Sequence, residues 1–178
     1  MNHISVADTA EPIKIKIVIP TNVYFLSGIR NFTLDTAKNV AGFDEQWAYR
    51  FQTVVDELTN NAIEHGSREG EEVELNFEID RQKSVRVTVS DHGDGKSNLK
   101  AADIQKLIAD AKENAGKPSL ALRGRGFQIM NNWSDELTIT DNEYGGISAS
   151  AYKEYQADEL TLQPAHVDAS KNVFVLEV

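Results

Sequence analysis

The chain has 178 residues, and 28 aspartates and glutamates against 18 lysines and arginines give a formal net charge of −10. That balance argues against a general nucleic-acid or anionic-membrane binder, whose affinity rests on Lys and Arg neutralising phosphates. Hydrophobic residues make up 40% and cysteine is absent, so a real core is affordable while disulfides and thiolate metal sites are excluded.

The opening "MNHISVADTAEPIK" lacks the apolar stretch of a secretion signal, and no apolar run approaches a membrane span, so a cytoplasmic protein is the expectation. Residues 1–12 read as a loose tail. "IKIKIVI" (13–19) alternates apolar residues with Lys and ends at Pro20, the pattern of a strand with one wet face. Residues 22–41 carry apolar positions at helical spacing, and Gly42 stops them. A second helix is predicted from about Asp44 to Glu64, with His65-Gly66 as its C-terminal stop.

Two strands follow, "EVELNFEI" (72–79) and "SVRVTVSD" (84–91), joined closely enough for an antiparallel hairpin. The glycine turn "DHGDG" comes next, then a polar helix over 101–114. The loop "AGKPSLALRGRG" leads into a helix opened by "FQIMNNW". "ELTITD" (136–141) and "GGISASAYK" (145–153) form another hairpin, and "KNVFVLEV" (171–178) has the composition of one more strand. This order predicts an α+β two-layer sandwich, with helices on one face of a mixed, mainly antiparallel sheet. It divides the chain into the tail, a domain over 13–153 and a C-terminal extension over 154–178.

Three stretches carry chemistry. On the second helix, Phe51, Val54, Val55, Leu58 and Ala62 form one apolar stripe at 100° per residue. Glu57, Asn61 and His65 follow at i, i+4, i+8 along the border of that stripe. A carboxylate and an amide oxygen one turn apart can face the same ligand, hold a hard cation and position a nucleophile. An ordinary polar helix border would look the same, and His65 also suits a helix cap. In "SDHGDG", Asp91 ends a strand, where its carboxylate can accept from an exocyclic amine, while Gly93 and Gly95 let the backbone approach a ligand. In "LRGRGFQIMNN", Arg123, Gly124, Arg125 and Gly126 run into a helix start, where free N–H groups and the local dipole favour phosphate. Neither a Walker A loop nor a full dinucleotide fingerprint is present.

Taken in order, these stretches resemble the nucleotide-binding boxes of the family that joins gyrase, Hsp90, histidine kinases and MutL (GHKL). "ELTNNAIEHG" resembles its N box, with Glu57 and Asn61 at the two family positions. "DHGDG" resembles the first glycine box, and "RGRGFQIM" the second. Within that family the style of "NAIEHG", "DHGDG" and "GFQIMNNWSDEL" is similar to the anti-sigma-factor serine/threonine kinases of partner-switching systems.

The resemblance implies the Bergerat ATP-binding fold and ATP with Mg²⁺ as ligands. It implies that Asn61 holds the metal against the phosphates, that Asp91 reads the adenine amino group, and that Gly124 and Gly126 belong to a lid over the phosphates. His65, Gly93, Gly95 and one of Arg123 and Arg125 complete the nucleotide contacts, and Glu57 is the general base toward a substrate serine. The implied partners are an anti-sigma-factor antagonist of STAS type and a sigma factor, with room for a homodimer. Three other functions fit the same boxes: an ATPase in which Glu57 activates water, a catalytically idle nucleotide switch, and the catalytic half of a histidine kinase.

Overall fold

A computed structural model describes residues 11–93, 100–106 and 125–155, with Arg125 in its backbone only. Residues 1–10 of the tail expected over 1–12, the turn over 94–99, the second half of the 101–114 helix, the loop up to Gly124 and the strand at 171–178 lie outside those residues.

Strand β1 (Ile13–Pro20) is built as its alternation predicts: the isoleucines turn inward, while Lys14, Lys16 and Val18 stay exposed. Pro20 closes the strand, at the sheet edge where a missing N–H costs no ladder bond. Asn22 then caps a 3₁₀ turn (Val23–Phe25) by accepting from the Tyr24 amide at 3.0 Å, and the chain enters α1 (Leu26–Asn39). Gly42, at φ +81°, makes the left-handed corner after α1. Asp44 caps α2 (Glu45–Asn61), its carboxylate accepting from the Trp47 amide at 2.8 Å.

Five strands form one sheet in the order β1-β2-β3-β5-β4. The others are β2 (Glu72–Asp80), β3 (Ser84–Ser90), β4 (Glu136–Asp141) and β5 (Ile147–Glu154). Every pairing among the described residues is antiparallel, so the sheet expected from sequence to be mixed and mainly antiparallel is antiparallel throughout them. The last hairpin does not simply extend the sheet outward. Its second strand, β5, takes the inner place against β3 and leaves β4 at the edge. Helices α3 (101–106) and α4 (Arg125–Trp133) lie in the connection between β3 and β4.

The core lies between the helices and one sheet face. The predicted stripe of α2 is buried throughout, from Phe51 through Val54, Val55 and Leu58 to Ala62. It meets the inward residues of β2 and β3, with Phe32 edge-on to Phe77 at 5.0 Å and Phe43 edge-on to Phe51 at 6.0 Å. Burying each such side chain contributes about 1.5–3 kcal/mol. Small residues Ala149 and Ala151 on β5 admit the helix layer closely. At the far end of β5, buried Lys153 donates to Asp135 at 2.7 Å and lies 4.2 Å from the Trp47 ring centre, so its charge is paired inside the fold. The opposite sheet face is polar, with Thr88 donating to Ser150 and Ser90 paired with Ser148.

α2 does not run as a plain α-helix to Glu64. Its α-helical turns end at Asn61, and Ala62–Gly66 continue as a π-helical turn. The Ala62 amide is shared between the carbonyls of Leu58 and Thr59, and the wider turn then opens. Such turns are rare and concentrate at functional sites. Here it brings the backbone of Gly66 against Asp91 at the end of β3.

Candidate functional site

A cavity of about 700 Å³ opens between α2, its π-helical turn, the end of β3, α3, α4 and the β4–β5 turn. Its size suits a nucleotide-scale ligand. Its walls are apolar, with Val89, Ile104, Met130, Leu137, Ile139 and Ile147 among them. Its polar groups come from the three stretches singled out in the sequence. Glu57, Asn61, His65, Asp91, Gly93 and Gly126 all line it. Gly95, Arg123 and Gly124 lie outside the described residues, and Arg125 opens α4 with its backbone.

Asp91 is buried at the end of β3, only 5% exposed. Its Oδ1 accepts from the Gly93 amide at 2.9 Å and the Ile147 amide at 3.1 Å. Its carbonyl accepts from the Asn142 side chain at 2.8 Å. Asn142 in turn accepts from the Tyr144 and Gly146 amides with its Oδ1, so one side chain ties the β4–β5 turn to Asp91. Glycines make this crowding possible. A Cβ on Gly66 would overlap the Asp91 Oδ2, and one on Gly146 would overlap the Asp91 Oδ1 and its carbonyl oxygen. Gly93 sits at φ +77°, and a Cβ there would come within 2.8 Å of the Gly145 carbonyl oxygen. A buried carboxylate held this way is a fixed acceptor, aimed before any ligand arrives.

Glu57 stands at the other end of the cavity, half-buried on α2. Its carboxyl is pushed above the usual carboxylate range, first by burial and then by the neighbouring charges of Asp56 and Glu64. Asp56 faces elsewhere, in a two-point pair with Arg30 of α1 at 2.7 and 2.8 Å. Glu57 Oε2 lies against Gly126 in the first turn of α4. Asn61, one turn further on, presents a neutral amide to the same space. A single such oxygen fits a Mg²⁺ ion, which keeps several waters and takes its remaining ligands from phosphate. His65 is exposed at the rim, its Nε2 3.9 Å from Glu64.

Sequence reasoning missed Gly66 and Gly146, the two glycines that press on Asp91. Gly66 reads there as a helix stop and Gly146 as part of a hairpin turn. The adjacent pair Gly145-Gly146 directly before a strand was the available signal, since close backbone approach is a standard reason for glycine there. It also missed Asn142, whose role appears only once β5 lies beside β3.

An antiparallel α+β sandwich with a cavity that joins a fixed buried carboxylate to a carboxylate–amide pair on a helix defines a nucleotide-binding domain of the two-layer type. Residues 19–149 match the family described as the histidine kinase-like ATPase domain. The chain belongs to that family, and with it to the ATP-binding, GHKL-like domains. The chain is 36% identical over 97 residues to a protein named anti-sigma F factor in Heyndrickxia coagulans, covering 53% of this chain and 61% of that one. Proteins of the same name in Bacillus thuringiensis and Bacillus cytotoxicus are 35% and 36% identical over 96 residues, with the same coverage. The matches thus span about 61% of those relatives' length. No helix among the described residues is long and apolar enough to cross a membrane.

Proposed function

We propose that the chain is an ATP-dependent protein serine/threonine kinase and anti-sigma regulatory factor of the cytoplasm. It phosphorylates an anti-sigma-factor antagonist of STAS type and sequesters a sigma factor while that antagonist is modified. The observation that carries the reading is the convergence of Glu57, Asn61 and Asp91 on one cavity. The family match and the relatives named anti-sigma F factor support it. Residues 13–153 form the ATP-binding domain in this reading, with the tail and the extension outside it.

Asp91 accepts from the exocyclic amine of adenine, with its carboxylate fixed by the Gly93 and Ile147 amides. Gly93 and Gly95 let the backbone close on the nucleotide, while His65, Arg123, Gly124, Arg125 and Gly126 serve the phosphate end. Asn61 would contribute one ligand to a bound Mg²⁺, which would supply charge compensation for the transferring phosphate. Glu57 takes the proton of the attacking serine hydroxyl. The serine oxygen then bonds to the γ-phosphorus, the bond from that phosphorus to the β–γ bridging oxygen breaks, and ADP leaves. Burial that lifts the Glu57 carboxyl strengthens it as a base.

The test is transfer of γ-labelled phosphate to a protein that co-purifies with the chain from its native cells. Glu57→Gln keeps the shape and removes the base. It should leave ATP binding by calorimetry within about twofold and slow labelling at least tenfold, since general-base catalysis typically supplies about 10²–10⁴-fold. A wild-type chain that binds ATP but labels no partner would instead be a nucleotide-gated binder.

A further inference from the structure

Gly126 reads in the sequence as one glycine of a phosphate loop, chosen for backbone freedom. The structure gives it a different constraint. It lies inside α4, second residue of Arg125–Trp133, and is not among the glycines with positive φ. Helical backbone there accepts any L-residue, and alanine would favour the helix. What alanine would meet is Glu57: a Cβ on Gly126 would stand 2.5 Å from Glu57 Oε2 and 3.4 Å from its Cδ. Among the described residues, and apart from the backbone of α4 itself and the chain neighbours of Gly126, nothing else lies within 4 Å of that Cβ position.

We infer that Gly126 is a positioning residue for Glu57: its missing side chain is the space the carboxylate occupies, so the first turn of α4 sets where the base stands. This rests on Glu57 being the base. The obstructing atom is the far end of a flexible side chain, not backbone. An added methyl therefore displaces the carboxylate and leaves the α2 and α4 backbones in place. A displacement of about 1 Å in a catalytic group costs on the order of 10²-fold in rate. The contact also links two boxes that are far apart in sequence. The helix that follows the phosphate loop and the helix that carries the base and metal ligand are packed together here, and Gly126 is where that packing reaches the reacting end.

The experiment is a double-mutant cycle on the full chain, read as ADP release from saturating Mg·ATP in the presence of the co-purified acceptor protein. Gly126→Ala should lower kcat at least about tenfold, hold KM for ATP within about threefold, and keep the melting temperature within about 2 °C. Glu57→Gln should also lower kcat at least about tenfold. Combining the two should cost less than about threefold beyond either alone, because a displaced base has little left to lose. Independent losses that multiply, or a Gly126→Ala effect confined to KM, would overturn the positioning role and leave the base reading standing. A Glu57→Gln variant with unchanged kcat would remove the base reading, and the positioning role with it. A Gly126→Ala chain that melts more than about 5 °C lower would show that the methyl is met by backbone movement, which also overturns the proposal.

Discussion

The two ends of the cavity are built on opposite plans. At one end Asp91 is buried, bonded to two amides and pressed between the backbones of Gly66 and Gly146. At the other, Glu57 and Asn61 are half-buried side chains on one helix, and Glu57 lies against the bare face of Gly126. The first end is fixed by atoms that cannot move without moving the sheet. The second is fixed by side-chain packing that can yield. A site that must recognise one face of a ligand and do chemistry at the other benefits from that division, because recognition tolerates no slack while a transfer step needs some adjustment.

The largest effect should come from breaking the rigid end. Asp91→Ala leaves the amides of Gly93 and Ile147 without their acceptor, at about 1–3 kcal/mol for each buried donor. Urea unfolding should show a loss of about 2–5 kcal/mol together with lost ATP binding; a loss under about 1 kcal/mol would mean that Asp91 is a ligand contact without a structural task. Next in size is Asn61→Ala. One lost oxygen ligand matters most to a cation that demands near-octahedral geometry, so ATP affinity measured with Mg²⁺ should fall about tenfold while affinity in EDTA stays nearly constant. Equal losses with and without metal would point to a disturbed helix end and erase the contrast. The smallest effect concerns stability at Glu57. Its carboxyl titrates above the ordinary range when folded, so the native state binds the proton more tightly than the unfolded chain. The stability that this provides is complete below the unfolded value and is lost as pH rises through the folded value. Glu57→Gln, which never ionises, should therefore gain stability relative to wild type as pH is raised from about 4 to 7. A difference that is flat across that range would mean that the carboxyl titrates normally.

Much of this was legible in the sequence, and for identifiable reasons. The α2 stripe depends only on helical period, and every residue placed on it is buried. The alternation in β1 acts within the strand itself, and it too holds. What was not legible depends on distant chain. Nothing local tells that β5 inserts between β3 and β4, yet that insertion delivers Asn142, Gly146 and the Ile147 amide to Asp91. Gly126 has the same character: its neighbour along the chain explains nothing, and its neighbour in space is 69 positions earlier by number. Gly66 was visible as a helix stop, but the π-helical turn that aims it was not, since its residues are ordinary helix formers apart from the final glycine.

That turn has a consequence for how length relates to shape in this chain. A π-helical turn absorbs a residue without a full α-helical step, so Ala62–Gly66 hold extra chain while the helix axis barely advances. Deleting one residue there would let the turn close into α-helical geometry while the chain beyond keeps nearly its present direction, because the wider turn carries that residue as surplus. What such a deletion would remove is the bulged backbone that lays Gly66 against Asp91. The extra residue between Asn61 and β2 thus serves a contact at the cavity, not the course of the helix.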